Sequence, residues 1–122
     1  MVRAEIRKFI AADEFETAEC CFITEVANSP ADGNVSVARA RVEPGVTTVW
    51  HKLRDVSERY LIISGTGCAE IDGLEAAAVA AGDVICIPPD TPQRITNTGE
   101  DDLIFFAVCS PQFTPDCYIS LE

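Results

Sequence analysis

A single histidine, His51, stands in the stretch Trp50-His51-Lys52-Leu53, followed by a glutamate at 58 and a tyrosine at 60. Imidazole ordinarily changes charge between pH 5 and 8, which suits it to proton transfer and to metal ligation. A lone histidine is therefore either a piece of a site or a remnant on a surface turn. Strand alternation puts His51 and Leu53 on one face, and Glu58, Tyr60 and Ile62 on one face. A phenol that shares the inward direction of a glutamate needs a partner, and it can serve as an acid or a substrate anchor. A buried carboxyl at 58 would have its pKa raised unless a cation or His51 pairs with it.

The elements that must position these groups read as strands. "CCFITEV" (20–26) and "VSVARARV" (35–42) flank the turn cluster "NSPADGN". "ERYLIISG" and "CAEID" follow, and Asp72-Gly73 is a hairpin signal. "VICIPP", "QRITN" and "LIFFAVCS" complete the series. About eight short strands at this spacing, with turn chemistry between them, predict an all-β sandwich or barrel. The alanine-rich segment 76–81 lies between turns too close to leave room for a helix. The tail "QFTPDCYISLE" is expected to pack along the outside.

At 122 residues the chain reads as one domain, 1–122, with no linker or repeat. A formal charge of −11 opposes both nucleic acid, which needs a basic surface, and anionic membranes. Neither a signal peptide nor a membrane-length apolar run is visible. The six cysteines lack Cys-x-x-Cys spacing and read as reduced thiols of a cytoplasmic protein, several of them packed as small hydrophobes. Arg39 and Arg41 share a strand face. Turned inward they would favour a carboxylate or phosphate ligand; turned outward they are a solvated face. Trp50 has the parity opposite to His51 and suggests a subunit contact.

Two spacings organise the middle of the chain. Gly45 is followed after five residues by His51, then by Leu53, Glu58 and Gly65 at intervals of one, four and six. Gly82 is followed after five residues by Pro88, then by Asp90, Gln93 and Asn97 at intervals of one, two and three. These stretches, 45–65 and 82–97, resemble the two signature motifs of the cupin superfamily. In that family the first motif runs Gly, His, x, His, Glu, Gly, and the second runs Gly, Pro, x, Gly, His, Asn.

The resemblance implies a cupin-type jelly-roll β-barrel, commonly dimeric, whose motif side chains converge inside on one divalent metal. His51 matches the first ligand and Glu58 the glutamate. Leu53 stands where the second histidine belongs, Gln93 stands at the third, and Asp90 replaces a turn glycine. The implied metal set is thus His51, Glu58 and Gln93, a harder and weaker one than three imidazoles and a carboxylate. It suits iron, manganese or nickel better than tightly held zinc. Candidate proton carriers are His51 and Tyr60, and candidate ligand contacts are Leu53, Tyr60 and Gln93. Asn97 is expected to close a turn through bonds to the backbone. The expected function is binding of a small oxygenated organic molecule in the barrel, with isomerase, lyase or dioxygenase chemistry on a weakly held metal. The alternative is a metal-free, non-catalytic binding module.

Overall fold

The computed structural model describes residues 3–122, and they form the all-β jelly roll that the strand spacing predicts. Eleven strands run β1 (Phe15–Glu16), β2 (Phe22–Ala27), β3 (Ser36–Val42), β4 (His51–Leu53), β5 (Ser57–Ser64) and β6 (Thr66–Ile71). They continue as β7 (Ala77–Ala80), β8 (Val84–Ile87), β9 (Gln93–Asn97), β10 (Leu103–Ser110) and β11 (Tyr118–Ser120). The expected count of about eight misses the very short β1, β4 and β11, which are too brief for alternation to declare itself. The alanine-rich segment is a strand, β7, as the flanking turns require.

Two antiparallel sheets face one another, with strand orders β1-β2-β3-β10-β5-β8 and β11-β4-β9-β6-β7. Alternation on β5 is strict: Glu58, Tyr60 and Ile62 are buried while Arg59, Leu61 and Ile63 are exposed. On β3, Ser36, Ala40 and Val42 are buried, so Arg39 and Arg41 lie on the outer face. There Arg41 is 2.7 Å from Glu14 and 3.3 Å from Asp102, and its guanidinium covers the Phe22 ring. The outward alternative is therefore the one realised, and neither arginine is available to a ligand inside the barrel.

The inner faces meet in two apolar clusters. The larger joins Tyr60, Ile62, Ile85 and Phe105 of one sheet to Ala69, Ile71 and Ile95 of the other. The smaller packs Leu53, Val56, Cys109 and Cys117 beneath Phe113 and Tyr118. The motif glycines and their replacement make the turns that align these strands. Gly65 has φ 86, and a Cβ there would stand 2.7 Å from the Asp102 carbonyl oxygen. Asp90 has φ 61, a left-handed conformation that Asp tolerates better than most residues. Asn97 is 1% exposed and closes the turn after β9. Its amide donates to the carbonyls of Val42 and Asp101, both at 2.8 Å, and its oxygen accepts the Gly99 N–H at 2.9 Å.

Candidate functional site

The two motif segments come together between the clusters. His51 and Gln93 are directly paired residues of β4 and β9, and Glu58 reaches them from β5 in the opposite sheet. All three side chains are buried. Gln93 donates its amide to Glu58 Oε1 at 2.7 Å, and the Cys109 thiol lies 3.6 Å from Glu58 Oε2. Burial pushes the Glu58 carboxyl up, and the Gln93 hydrogen bond and the nearby His51 only partly oppose it. The other amide atom, Gln93 Oε1, is buried with no hydrogen-bond partner.

His51 is fixed by two contacts. Its Nδ1–H donates to the Val49 carbonyl at 2.7 Å, which turns Nε2 the other way. Its ring stacks on Tyr118 with centroids 5.0 Å apart. Nε2 lies 3.7 Å from Glu19 Oε2. Glu19 comes from the turn before β2, where Cys20 takes φ 68. Burial raises the Glu19 carboxyl, and His51 is the main influence acting the other way. Nothing in the sequence marks Glu19, because its partner lies 32 residues away across a loop.

The tail departs from expectation. Rather than lying along the outside, residues 118–120 pair with β4 and bring Tyr118 over His51. Phe113 is held in place by its N–H to Ser36 Oγ at 2.9 Å and by Asn28, whose amide donates to its carbonyl at 2.9 Å. Between the tail and the barrel lies a cavity of about 250 Å³. Glu19 and Glu58 stand in its wall, with Cys109 and Ser36 beside them. Ile23, Phe113 and Tyr118 supply its apolar surface. Burial, with the Glu19 charge next in importance, pushes the Tyr118 phenol up to about 12.

The other expected site residues take different places. Leu53 points inward, as its parity with His51 demands, but it lies under the cavity wall among Val56, Cys109 and Cys117. Tyr60 also points inward, yet its ring packs against Phe105 at 4.3 Å in the larger core and does not line the cavity. Gln93 stands behind Glu58 and holds it. Trp50 is half-buried, with Arg94 lying over its ring.

The donors do not suit a resident divalent ion. Leu53 replaces an imidazole with methyl groups, and Gln93 turns its amide nitrogen, not its oxygen, toward the carboxylate. His51 directs its free nitrogen at Glu19. Among the described residues no group of three or more His, Cys, Asp or Glu side chains is arranged to hold a metal.

Comparison with known proteins agrees with this architecture. Residues 38–109 match the family model described as the cupin domain. An uncharacterised protein of Methanocaldococcus jannaschii is 37% identical over 79 residues, which are 65% of this chain. The match spans 62% of that relative's length. Among solved structures, KdgF from Halomonas superposes with a TM-score of 0.74 at 19% identity, covering 86% of this chain and 94% of that one. Pac13, described as a nucleoside dehydratase and known from Streptomyces, gives 0.76 at 20% identity, covering 94% and 90%. A predicted oxalate decarboxylase of Thermotoga maritima gives 0.68 at 28% identity, covering 75% and 80%. With a matched model across most of its length and both motifs placed inside a jelly roll, the chain belongs to the cupin family.

Proposed function

We propose that this protein binds a small oxygenated organic molecule in the barrel cavity and moves protons on it without a resident metal. One observation carries the reading: Glu19 faces the cavity with His51 Nε2 3.7 Å behind it, and that imidazole is held by Val49 and Tyr118. A carboxyl whose pKa burial raises is a stronger base, once ionised, than an ordinary carboxylate. In such a step the Glu19 carboxylate takes a proton from a carbon beside a carbonyl, and the electron pair moves onto the carbonyl oxygen. In an α-hydroxycarbonyl compound, return of the proton to the former carbonyl carbon, with the α-hydroxyl proton passing to the former carbonyl oxygen, gives isomerisation. Expulsion of a β-hydroxyl with that proton, as water, gives a lyase reaction.

His51 acts here as a positioning and proton-holding partner of Glu19. Tyr60, packed in the core, has no part in the step. Dioxygenase chemistry and the iron, manganese, nickel or zinc that would support it find no suitable donor set. One neighbour in fold supports small-molecule chemistry in such a barrel: Pac13 is described as a nucleoside dehydratase, and a Pac13 variant has been solved with uridine.

The test is exchange of carbon-bound hydrogen in D2O, followed by NMR, across small hydroxycarbonyl compounds with a chelator present. Wild type should bind and exchange, and Glu19→Gln should bind without exchange. Exchange that the chelator abolishes would overturn the metal-free reading. Binding without exchange by wild type would leave a non-catalytic binding module.

We further infer a cytoplasmic two-fold homodimer. The free state of all six cysteines supports the compartment. Leu61, Ile63 and Val84, exposed together on the outer face of β5 and β8, support the assembly. A sedimentation mass near the 13.2 kDa of one chain would overturn it. No helix among the described residues is long and apolar enough to cross a membrane.

A further inference from the structure

We propose that the cavity selects a molecule that presents N–H or O–H donors and carries no acidic group. The inference rests on the reading of the cavity as a ligand site and adds the class of ligand it admits. Among the described residues no lysine or arginine lines the cavity, and none is paired with its two ionisable carboxyls, Glu19 and Glu58. Glu58 is held only by the neutral Gln93 amide and the Cys109 thiol. Glu19 has His51 beside one oxygen, Oε2, at 3.7 Å. Of the arginines next to cavity residues in sequence, Arg39 lies on the far face of β3 with Arg41, both paired to Glu14, and Arg59 is on the exposed face of β5.

Neutral donors are also scarce. The Thr17 hydroxyl gives its proton to the Cys21 carbonyl at 2.9 Å. Behind Glu58, Gln93 Oε1 is one more acceptor without a donor. The hydroxyl protons of Ser36 and Tyr118 are what remain for an incoming anion. A carboxylate or phosphate would therefore enter a partly desolvated space whose fixed groups are mostly acceptors, and its charge would also raise the cost of ionising Glu19 or Glu58. A hydroxyl, amide or ammonium group meets the opposite situation, since each of its protons finds a lone pair. The molecule's net charge of −11 acts in the same sense at longer range.

The experiment uses matched compounds: benzyl alcohol and benzylamine against benzoate, uridine against uridine monophosphate, and galactose against galacturonate. Each is titrated by calorimetry and by saturation-transfer NMR into wild type, into Glu19→Gln, and into Ala107→Leu, which fills the cavity. Ala38→Leu serves the same purpose if the Ala107 variant does not fold. Within a set that binds, the non-acidic member should bind at least about tenfold more tightly than the acid. Glu19→Gln should narrow that ratio, and the filled cavity should lose binding altogether. An acid that binds as tightly as its non-acidic partner, and loses binding in Ala107→Leu, overturns the selectivity while leaving the cavity as a ligand site. A ratio unchanged in Glu19→Gln overturns the part given to that carboxyl. If no compound binds, or binding survives filling of the cavity, the reading of the cavity as a ligand site fails and the inference falls with it.

Discussion

Restoring the two missing imidazoles, Leu53→His with Gln93→His, tests whether the four motif positions converge. Leu53 is 3% exposed and sits among Val56, Cys109 and Cys117, so a histidine there loses apolar packing and buries a ring without a partner. Gln93→His also removes the amide that holds Glu58. Together these changes should cost about 3 kcal/mol in the absence of metal. For a chain of this size that corresponds to a fall in Tm of about 10–15 °C. A divalent ion at a hundred times its Kd would restore about 2.7 kcal/mol, most of the loss. Thermal melts with chelator and with added nickel, manganese or zinc read both numbers directly. Wild type should shift by less than about 1 °C under the same additions, since its donors are directed elsewhere. If the double variant gains nothing from metal, positions 51, 53, 58 and 93 do not converge. If wild type gains as much as the variant, the objection drawn from Leu53 and the Gln93 amide is wrong.

Glu58→Gln tests the buried carboxyl through pH. Its folded pKa is raised above the ordinary 4.5, so its contribution is fully present below 4.5 and is lost as pH rises through the folded value. The variant should therefore gain on wild type in urea denaturation as pH rises from 4.5 toward 8, and a difference that stays flat would contradict the burial of the charge. Asn97→Ala removes three hydrogen bonds from a side chain 1% exposed and should cost about 2–4 kcal/mol, read from the urea midpoint. Thiol labelling of the folded protein should modify Cys20 and Cys86 quickly and spare Cys21, Cys109 and Cys117; rapid labelling of all six would end the account of them as packed hydrophobes.

How far the sequence reveals this protein depends on whether a residue's role is local. The direction of Leu53 follows from parity with His51, and the conformations of Gly65 and Asp90 follow from turn chemistry, so spacing alone discloses them. Asn97 is legible in part: Gly99 and Asp101 belong to its own turn, whereas Val42, its third partner, ends a strand of the other sheet 55 residues away. Glu19 and Tyr118 are different. They meet His51 only because the chain closes loops of 32 and 67 residues, and no periodicity encodes those meetings. The fate of Tyr60 is intermediate: alternation points it inward, but only the neighbouring strand, which supplies Phe105, decides that it joins the core. Likewise, alternation buries Gln93 without settling which amide atom meets Glu58.

The outer wall of the cavity comes from one contiguous stretch, Phe113 to Tyr118, that lies beyond the last long strand of the barrel. It is tied down by side chains of Asn28 and Ser36, by Cys117 in the smaller apolar cluster and by the pairing of Tyr118 with Leu53 of β4, and it takes no part in the larger core. On the proposed reading of the cavity, the residues of this stretch that face it, Phe113 and Pro115, are separate from the larger core. Substitutions at Phe113 and Pro115 would change the shape of the cavity while Cys117 and Tyr118 keep their places in the smaller cluster and over His51.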